Sequence, residues 1–476
     1  MMGELAPQRN GSMPTTDNLV DSPDANSLVE KIVCPHCWHE FAPEQLLFIA
    51  TSPELSFDHV LPGGAQRRFL PSQFTFQGDA IDPAGGICTE TACPSCHLKV
   101  PRLLAQRKVV SVSIFGAPGS GKSYLLAAMT HRIAEVLHEY GLSIDDVDAE
   151  ANVILHEYEK ELFHQPTADT RVQLKKTGEA AAGSEWYNTV NWRGRSRLLP
   201  KPFLFRLDAI ARANNATASD RVLCLYDNAG ESFEPGGETE DNPVTRHMSR
   251  ADGLIFVFDP TKETSFRRAC QARSDDPQWS DEGMSRQSAL FSEAISRILR
   301  YRGLLPTDRI DTPLIVLVPK FDAWSFLLTD QPLPAFWAAA NDATGNRSPD
   351  PKRFDARVVL SVSHAVRKML QAHATPLLTR IESACNPKKV LYIPVSATGC
   401  SPRFDGPEPA KADATMASLD TLTTADLGNI NVTDEPVADL SANYFRAGDI
   451  TPIWAEVPAL TLLRMITPHL LPTITK

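Results

Sequence analysis

From Val109 onward the chain carries six apolar, β-rich runs: VVSVSIF (109–115), FLFRL (203–207), RVLCLY (221–226), GLIFVF (253–258), LIVLV (314–318) and VLYIPV (390–395). Several are almost continuously apolar, the pattern of strands covered on both faces. Between them, apolar residues recur at three- and four-residue spacing across 124–137, 287–300, 356–384 and 454–466, which predicts helices. This alternation predicts an α/β fold with a mostly parallel six-stranded sheet flanked by helices. Three polar stretches, at about 141–200, 261–284 and 401–450, break the alternation and are expected to be surface insertions. Upstream, residues 1–28 are rich in Pro, Ser, Asn and Asp and are expected to be a disordered tail. Residues 29–104 form a cysteine-bearing module ahead of the α/β domain at 105–476.

The first strand runs into GAPGSGKS, residues 116–123, which fits G-x-x-x-x-G-K-[ST]. The strand before it and the helix after it are the context that pattern requires. Gly116, Gly119 and Gly121, with Ala117, Pro118 and Ser120 between them, allow a turn whose backbone N–H groups face a β-phosphate. The helix N-terminus that follows favours the same anion. Lys122 is expected to reach the β- and γ-phosphates, and the Ser123 hydroxyl to ligate Mg²⁺.

A second constellation, RVLCLYDNAGESF (221–233), ends a strand on Asp227, with Gly230 at D-x-x-G spacing. A carboxylate at that strand end can hold Mg²⁺ through water, and the Gly230 N–H can bond a γ-phosphate, tying the loop to nucleotide state. Alone, D-x-x-G is also a common turn signal. Two further strands run into loops, PKFD at 319–322 and SATG at 396–399. Ligands of open α/β sheets bind at the carboxyl ends of strands, so both loops are expected where a base would sit. Taken singly, each also reads as an ordinary strand-to-helix connection.

Together and in this order, the four segments resemble the G domain of translation-factor-related (TRAFAC) GTPases. DNAGE resembles DTAGQ, PKFD resembles N/TKxD, and SATG is similar to the SAK/SAT loop. In detail the chain looks like bacterial "double-GTPase" proteins, which pair a zinc ribbon with a divergent G domain. The resemblance implies GTP or GDP as ligand, with Mg²⁺. It implies that Asp322 reads guanine, that Lys320 lies along the base, and that Ser396 and Ala397 supply the second base loop. A carboxylate accepts two hydrogen bonds, which suits guanine's N1–H and 2-amino group; adenine offers no such pair. Two positions depart from the pattern. Pro319 stands where Asn is expected, and Glu231 where many hydrolytic members carry Gln. Glu231 can orient water or act as a base but adds negative charge near the γ-phosphate, so slow or partner-stimulated hydrolysis is implied, with Lys122 neutralising charge. The threonine that closes on Mg²⁺ is one of Thr167, Thr170, Thr177 and Thr189; polar sequence after Thr177 favours that one.

CPHC at 34–37 and CPSC at 93–96 supply four thiols, Cys34, Cys37, Cys93 and Cys96, that suit one tetrahedral Zn²⁺. The 55 residues between them (38–92) are far longer than a compact ribbon's loop. A thioredoxin-like redox role is the alternative and needs a βαβ context. Cys88, His36 and His97 read as bystanders.

Bulk properties narrow the class. The chain has 476 residues, 42% hydrophobic and 22% charged, with nine cysteines and a net charge of −11. The acidic balance argues against a nucleic-acid coat and makes a protein the expected partner of the cysteine module. No apolar run approaches the ~20 residues of a membrane span, and the N-terminus lacks a signal-peptide pattern, so a cytoplasmic protein is expected. Three functions remain open: a GTP-binding switch, an ATP-dependent NTPase or phosphotransferase, and a non-hydrolysing nucleotide-binding scaffold. Arg193, Arg195 and Arg197 in NWRGRSR could form an arginine lid for the second, or a solvated basic loop.

Overall fold

Seven strands form the central sheet of the computed structural model, which describes residues 28–174, 186–210, 220–228, 230–233, 243, 245–274, 276–279, 287–338, 352–403 and 444–471. They are β1 (Lys108–Gly116), β2 (Leu142–Asp146), β3 (Phe203–Ala209), β4 (Arg221–Asp227), β5 (Gly253–Val257), β6 (Leu314–Val318) and β7 (Val390–Pro394). Their order across the sheet is β7-β6-β5-β1-β4-β3-β2. β1 sits at the centre, parallel to β4 and to β5, and β6 and β7 continue the parallel set. β3 runs antiparallel to β4, and β2 antiparallel to β3.

The expected count of six strands is therefore corrected to seven. The extra strand, β2, lies inside the 141–200 stretch. Its sequence, LSIDD, has only Leu142 and Ile144 as apolar positions and ends on two aspartates, as suits a polar sheet edge. The same stretch also holds helix α2 (Val153–Phe163), which packs on α1 (Lys122–Val136), and a hairpin of Tyr187–Trp192 with Arg195–Pro200. The 261–284 stretch holds α3 (Thr264–Gln271). After α4 (Gln287–Arg302), the helix expected over 356–384 is two: α5 (Ala356–His373) and α6 (Thr375–Ala384). Pro376 has no N–H to continue a helical ladder and its ring clashes with the carbonyl four residues back, so one helix cannot run through; the break falls at Ala374 and Pro376 stands in the first turn of α6. The last helix, α7 (Val457–Ile466), packs against α1 and β6.

The apolar runs of β3 and β4 are continuous because both faces are covered. Phe203, Phe205, Leu207, Leu223 and Leu225 belong to the main core. The alternate residues Leu204, Val222, Cys224 and Tyr226 pack instead with Ile32, Trp38, Val100 and Leu104 of the cysteine module. That module is thus seated on one face of the sheet beside the strand that ends in Asp227. The 38–92 stretch builds its own small core of Phe48, Ala50, Phe69, Ala80 and Cys88. Among the described residues, no helix is long and apolar enough to cross a membrane.

Candidate nucleotide and metal sites

The loop between β1 and α1 turns with positive φ at Gly119 (66°) and Gly121 (86°), a backbone region that side chains disfavour. Lys122 begins α1, and its side chain folds back over the loop. Its Nζ donates to the carbonyl oxygens of Gly116 at 3.1 Å and Ala117 at 2.9 Å. The ammonium group is thereby held at the loop's mouth. Lys262 donates to the Pro118 carbonyl at 2.9 Å, so a second cation, which the sequence reading misses, touches the same loop. Ser123 follows Lys122 in the first turn of α1.

β4 delivers Asp227 beside this loop. Both carboxylate oxygens of Asp227 are buried, and among the described residues no donor reaches either. Burial pushes its carboxyl up to about 6, partly offset by attraction to Lys122. An orphaned buried carboxylate costs stability unless a cation meets it. A carboxylate is the kind of hard oxygen donor that suits Mg²⁺. Gly230 packs directly on Ala117 and Pro118. Thr177 and the side chain of Glu231 lie outside the described residues.

At the end of β6, Lys320 has left-handed backbone (φ 58°), and its Nζ donates to Asp259 Oδ2 at 2.9 Å and to Thr261 Oγ1 at 3.0 Å. Asp259 is fully buried and also accepts from the N–H and hydroxyl of Thr261. This fixes Lys320 against the β5 end. Burial raises the Asp322 carboxyl above its ordinary value, against hydrogen bonding from Ser396 and Gln278. Oδ2 accepts from Gln278 Nε2 at 3.1 Å, while among the described residues Oδ1 has no donor. Ser401 also approaches Oδ2, but its one hydrogen has a shorter contact with Asp276. The SATG loop is braced by a return segment: Ser396 and Ile453 exchange backbone bonds, and Thr451 N donates to Thr398 O at 2.7 Å. Ser396 lies beside Asp322 on this braced loop, and Ala397 follows it in the chain. Gln278, Asp259 and Lys262 are contacts no local pattern announces, although Asp-Pro-Thr at 259–261 is a recognisable capping turn at a strand end.

The two CxxC turns are built alike. Cys34 N donates to His39 O and Cys93 N to Leu98 O, while Trp38 and His97, just past each second cysteine, both take φ near 60°. His36 N and Ser95 N point at Cys34 Sγ and Cys93 Sγ at 3.4 and 3.3 Å. All four sulfurs lie within 4.8 Å of one another, with Cys34–Cys96 and Cys37–Cys93 at 3.7 Å. Tetrahedral zinc at ~2.3 Å from each sulfur requires sulfurs about 3.8 Å apart, so the cage fits that ion. Burial pushes the Cys34 and Cys96 thiols up, and holding four thiolates there calls for a cation. His36 is turned to the Lys99 carbonyl, His97 to Asp58, and Cys88 lies in the separate small core.

Arg193, Arg195 and Arg197 lie on the hairpin, whose turn has positive φ at Arg193 and Gly194, the I′ signature. Asn191 N donates to Val60 O, so the hairpin tip stands against the cysteine module.

No family model matches the chain. A putative ESX-1 scaffolding and assembly protein, SaeC, of Mycolicibacterium smegmatis is 25% identical over 181 residues, 37% of this chain and 39% of that protein. This chain thus matches about two fifths of that relative's length. Among solved structures, sup35 complexed with GDP is similar at 14% identity and a TM-score of 0.21, covering 61% of this chain and 38% of that one. The Saccharomyces cerevisiae Ski7 GTPase-like domain bound to GTP is similar at 12% identity and 0.24, covering 61% and 43%.

Proposed function

We propose that the chain is a guanine-nucleotide-binding switch of the P-loop GTPase class, which holds GTP or GDP with Mg²⁺ and hydrolyses GTP slowly or with a stimulating protein partner. One observation carries the reading. The ends of β1, β4 and β6 bear a glycine loop closed by Lys122, a buried carboxylate at Asp227 and a second at Asp322; among the described residues no donor reaches Asp227 or Oδ1 of Asp322. Lys122 neutralises charge on the β- and γ-phosphates, and Gly119 and Gly121 shape the backbone cradle. Ser123 and Asp227 would hold the Mg²⁺, which would supply positive charge to the phosphates when bound; Thr177, outside the described residues, is the candidate third ligand. Asp322 accepts from guanine N1–H and the 2-amino group; each oxygen has two lone pairs, so Gln278 leaves room on Oδ2. Lys320 lays its stem along the base, and Ala397 offers its N–H to the 6-oxo group. Glu231, the residue after Gly230, is the candidate to orient the attacking water. Cys34, Cys37, Cys93 and Cys96 hold one structural Zn²⁺. The resemblance to bacterial double-GTPase proteins points such a switch toward a conflict or signalling system.

A second reading is a scaffold that keeps nucleotide without turnover. Glu231 in place of Gln and the name of the SaeC relative, a putative scaffolding and assembly protein, favour it. Phosphate release measured with GTP and with ATP, alongside identification of co-purified nucleotide, tests both. GTP turnover above that of a Lys122→Ala control supports the switch; bound GTP or GDP without turnover supports the scaffold. Turnover of ATP alone overturns the guanine assignment.

A further inference from the structure

Tyr226 and His247 join the cysteine module to the loop that follows β4. Tyr226 immediately precedes Asp227, and its hydroxyl donates to the Pro35 carbonyl oxygen at 2.6 Å. Pro35 lies inside the first CxxC turn. His247 stacks on the Tyr226 ring, with centroids 4.1 Å apart and planes 17° apart, and also lies 6.0 Å from the Trp38 ring. His247 Nε2 lies 2.9 Å from Asn228 Oδ1. The Asn228 amide nitrogen already donates to Ser113 Oγ and Ile114 O on β1, so its oxygen is the acceptor and His247 the donor.

Tyr226, Asn228 and His247 are all buried, so water cannot replace a bond lost when one side shifts. Two residues on, Gly230 rests on Ala117 and Pro118, where a γ-phosphate would draw its N–H. Movement of Asn228 must then either carry His247 with it or leave a buried polar group unpaired.

We propose that the cysteine module is a built-in reader of nucleotide state. Displacement of Asn228 and Gly230 on binding a triphosphate passes through Asn228–His247, the stacked Tyr226 ring and the Tyr226–Pro35 bond to the knuckle at 34–38. This rests on the nucleotide-binding reading above. Coupling of this kind is reciprocal, so the order of the knuckle also biases nucleotide affinity.

Hydrogen exchange on the full chain, with Mg²⁺ and either GDP or a non-hydrolysable GTP analogue, tests it at 33–41 and at 116–123. The expected result is a difference of roughly threefold or more in exchange at 33–41 between the two nucleotides. In Tyr226→Phe, which keeps the ring stack and loses the hydroxyl, that ratio should fall toward one while 116–123 still responds. Equal exchange at 33–41 in the wild type, with 116–123 responding to nucleotide, overturns the proposal and leaves nucleotide binding intact. A full ratio in Tyr226→Phe overturns the route. No response at either segment overturns nucleotide binding and the proposal together. The wild-type comparison decides the matter even if the variant fails to fold.

Discussion

Gly230 lies so close to Pro118 that a Cβ on it would stand 2.4 Å from the Pro118 nitrogen and 2.8 Å from the Ala117 carbonyl carbon. Both are backbone atoms of the phosphate loop, so neither can swing aside as a side-chain tip would. Gly230→Ala must push the two loops apart. The expected cost is about 1–3 kcal/mol of stability, as for other overpacked sites. Triphosphate affinity should fall at least roughly tenfold as the cradle distorts, with diphosphate less affected. Parallel titrations with GDP and a GTP analogue check this, and unchanged affinity for both would show the contact to be incidental.

Lys122 holds two carbonyls of its own loop and is the cation expected on the phosphates. Lys122→Ala removes charge-assisted bonds worth ~1.5–3 kcal/mol, so nucleotide affinity should drop tenfold or more. Equilibrium binding with a fluorescent nucleotide reads the effect. An unaltered dissociation constant would sink the phosphate-loop assignment.

The cysteine cage should contain metal. Elemental analysis of protein purified without chelator is expected to give about one zinc per chain, and Cys93→Ser should lose it and loosen the module. Absence of metal together with a Cys34–Cys37 disulfide would favour the redox alternative.

Asp322 gives a pH signature. Burial raises its carboxyl, so protonation removes the guanine acceptor at a higher pH than for an ordinary carboxylate. GTP affinity should therefore weaken as pH falls through that raised value, more than ATP affinity does. In the nucleotide-free protein the native state holds this proton more tightly than the unfolded chain. The carboxyl's contribution to stability is accordingly lost as pH rises through the same window. Binding titrations across pH for wild type and Asp322→Asn check this, since the variant should lack the guanine-specific component. Identical profiles in both would remove Asp322 from the base site.

Six strands and all four loop motifs are legible because each is a local pattern: an apolar run, then Gly, Asp or Lys at a strand end. β2 is hidden because an edge strand with two apolar residues differs little from a loop. The break at Ala374 is hidden because apolar spacing continues across it, although Pro376 marks it. Gln278 on Asp322, Lys262 on Pro118 and Asp259 on Lys320 are polar contacts between residues 44 to 144 positions apart. Periodicity carries no signal for such pairs. The same holds for Tyr226 and Pro35, 191 positions apart. The sequence separates the cysteine module from the α/β domain, whereas the fold seats it on the face of β3 and β4.

The central claim is that this chain binds guanine nucleotide, with Asp322 as reader. Calorimetric titration of the wild type and Asp322→Asn with GTP, ATP and xanthosine triphosphate, each with Mg²⁺, tests it most directly. Asparagine replaces one acceptor oxygen by an N–H donor, which suits the 2-oxo group of xanthine. The wild type is expected to bind GTP at least roughly tenfold tighter than ATP. The variant should lose GTP affinity and gain affinity for xanthosine triphosphate. Equal binding of GTP and ATP by the wild type, unchanged in Asp322→Asn, would contradict the account.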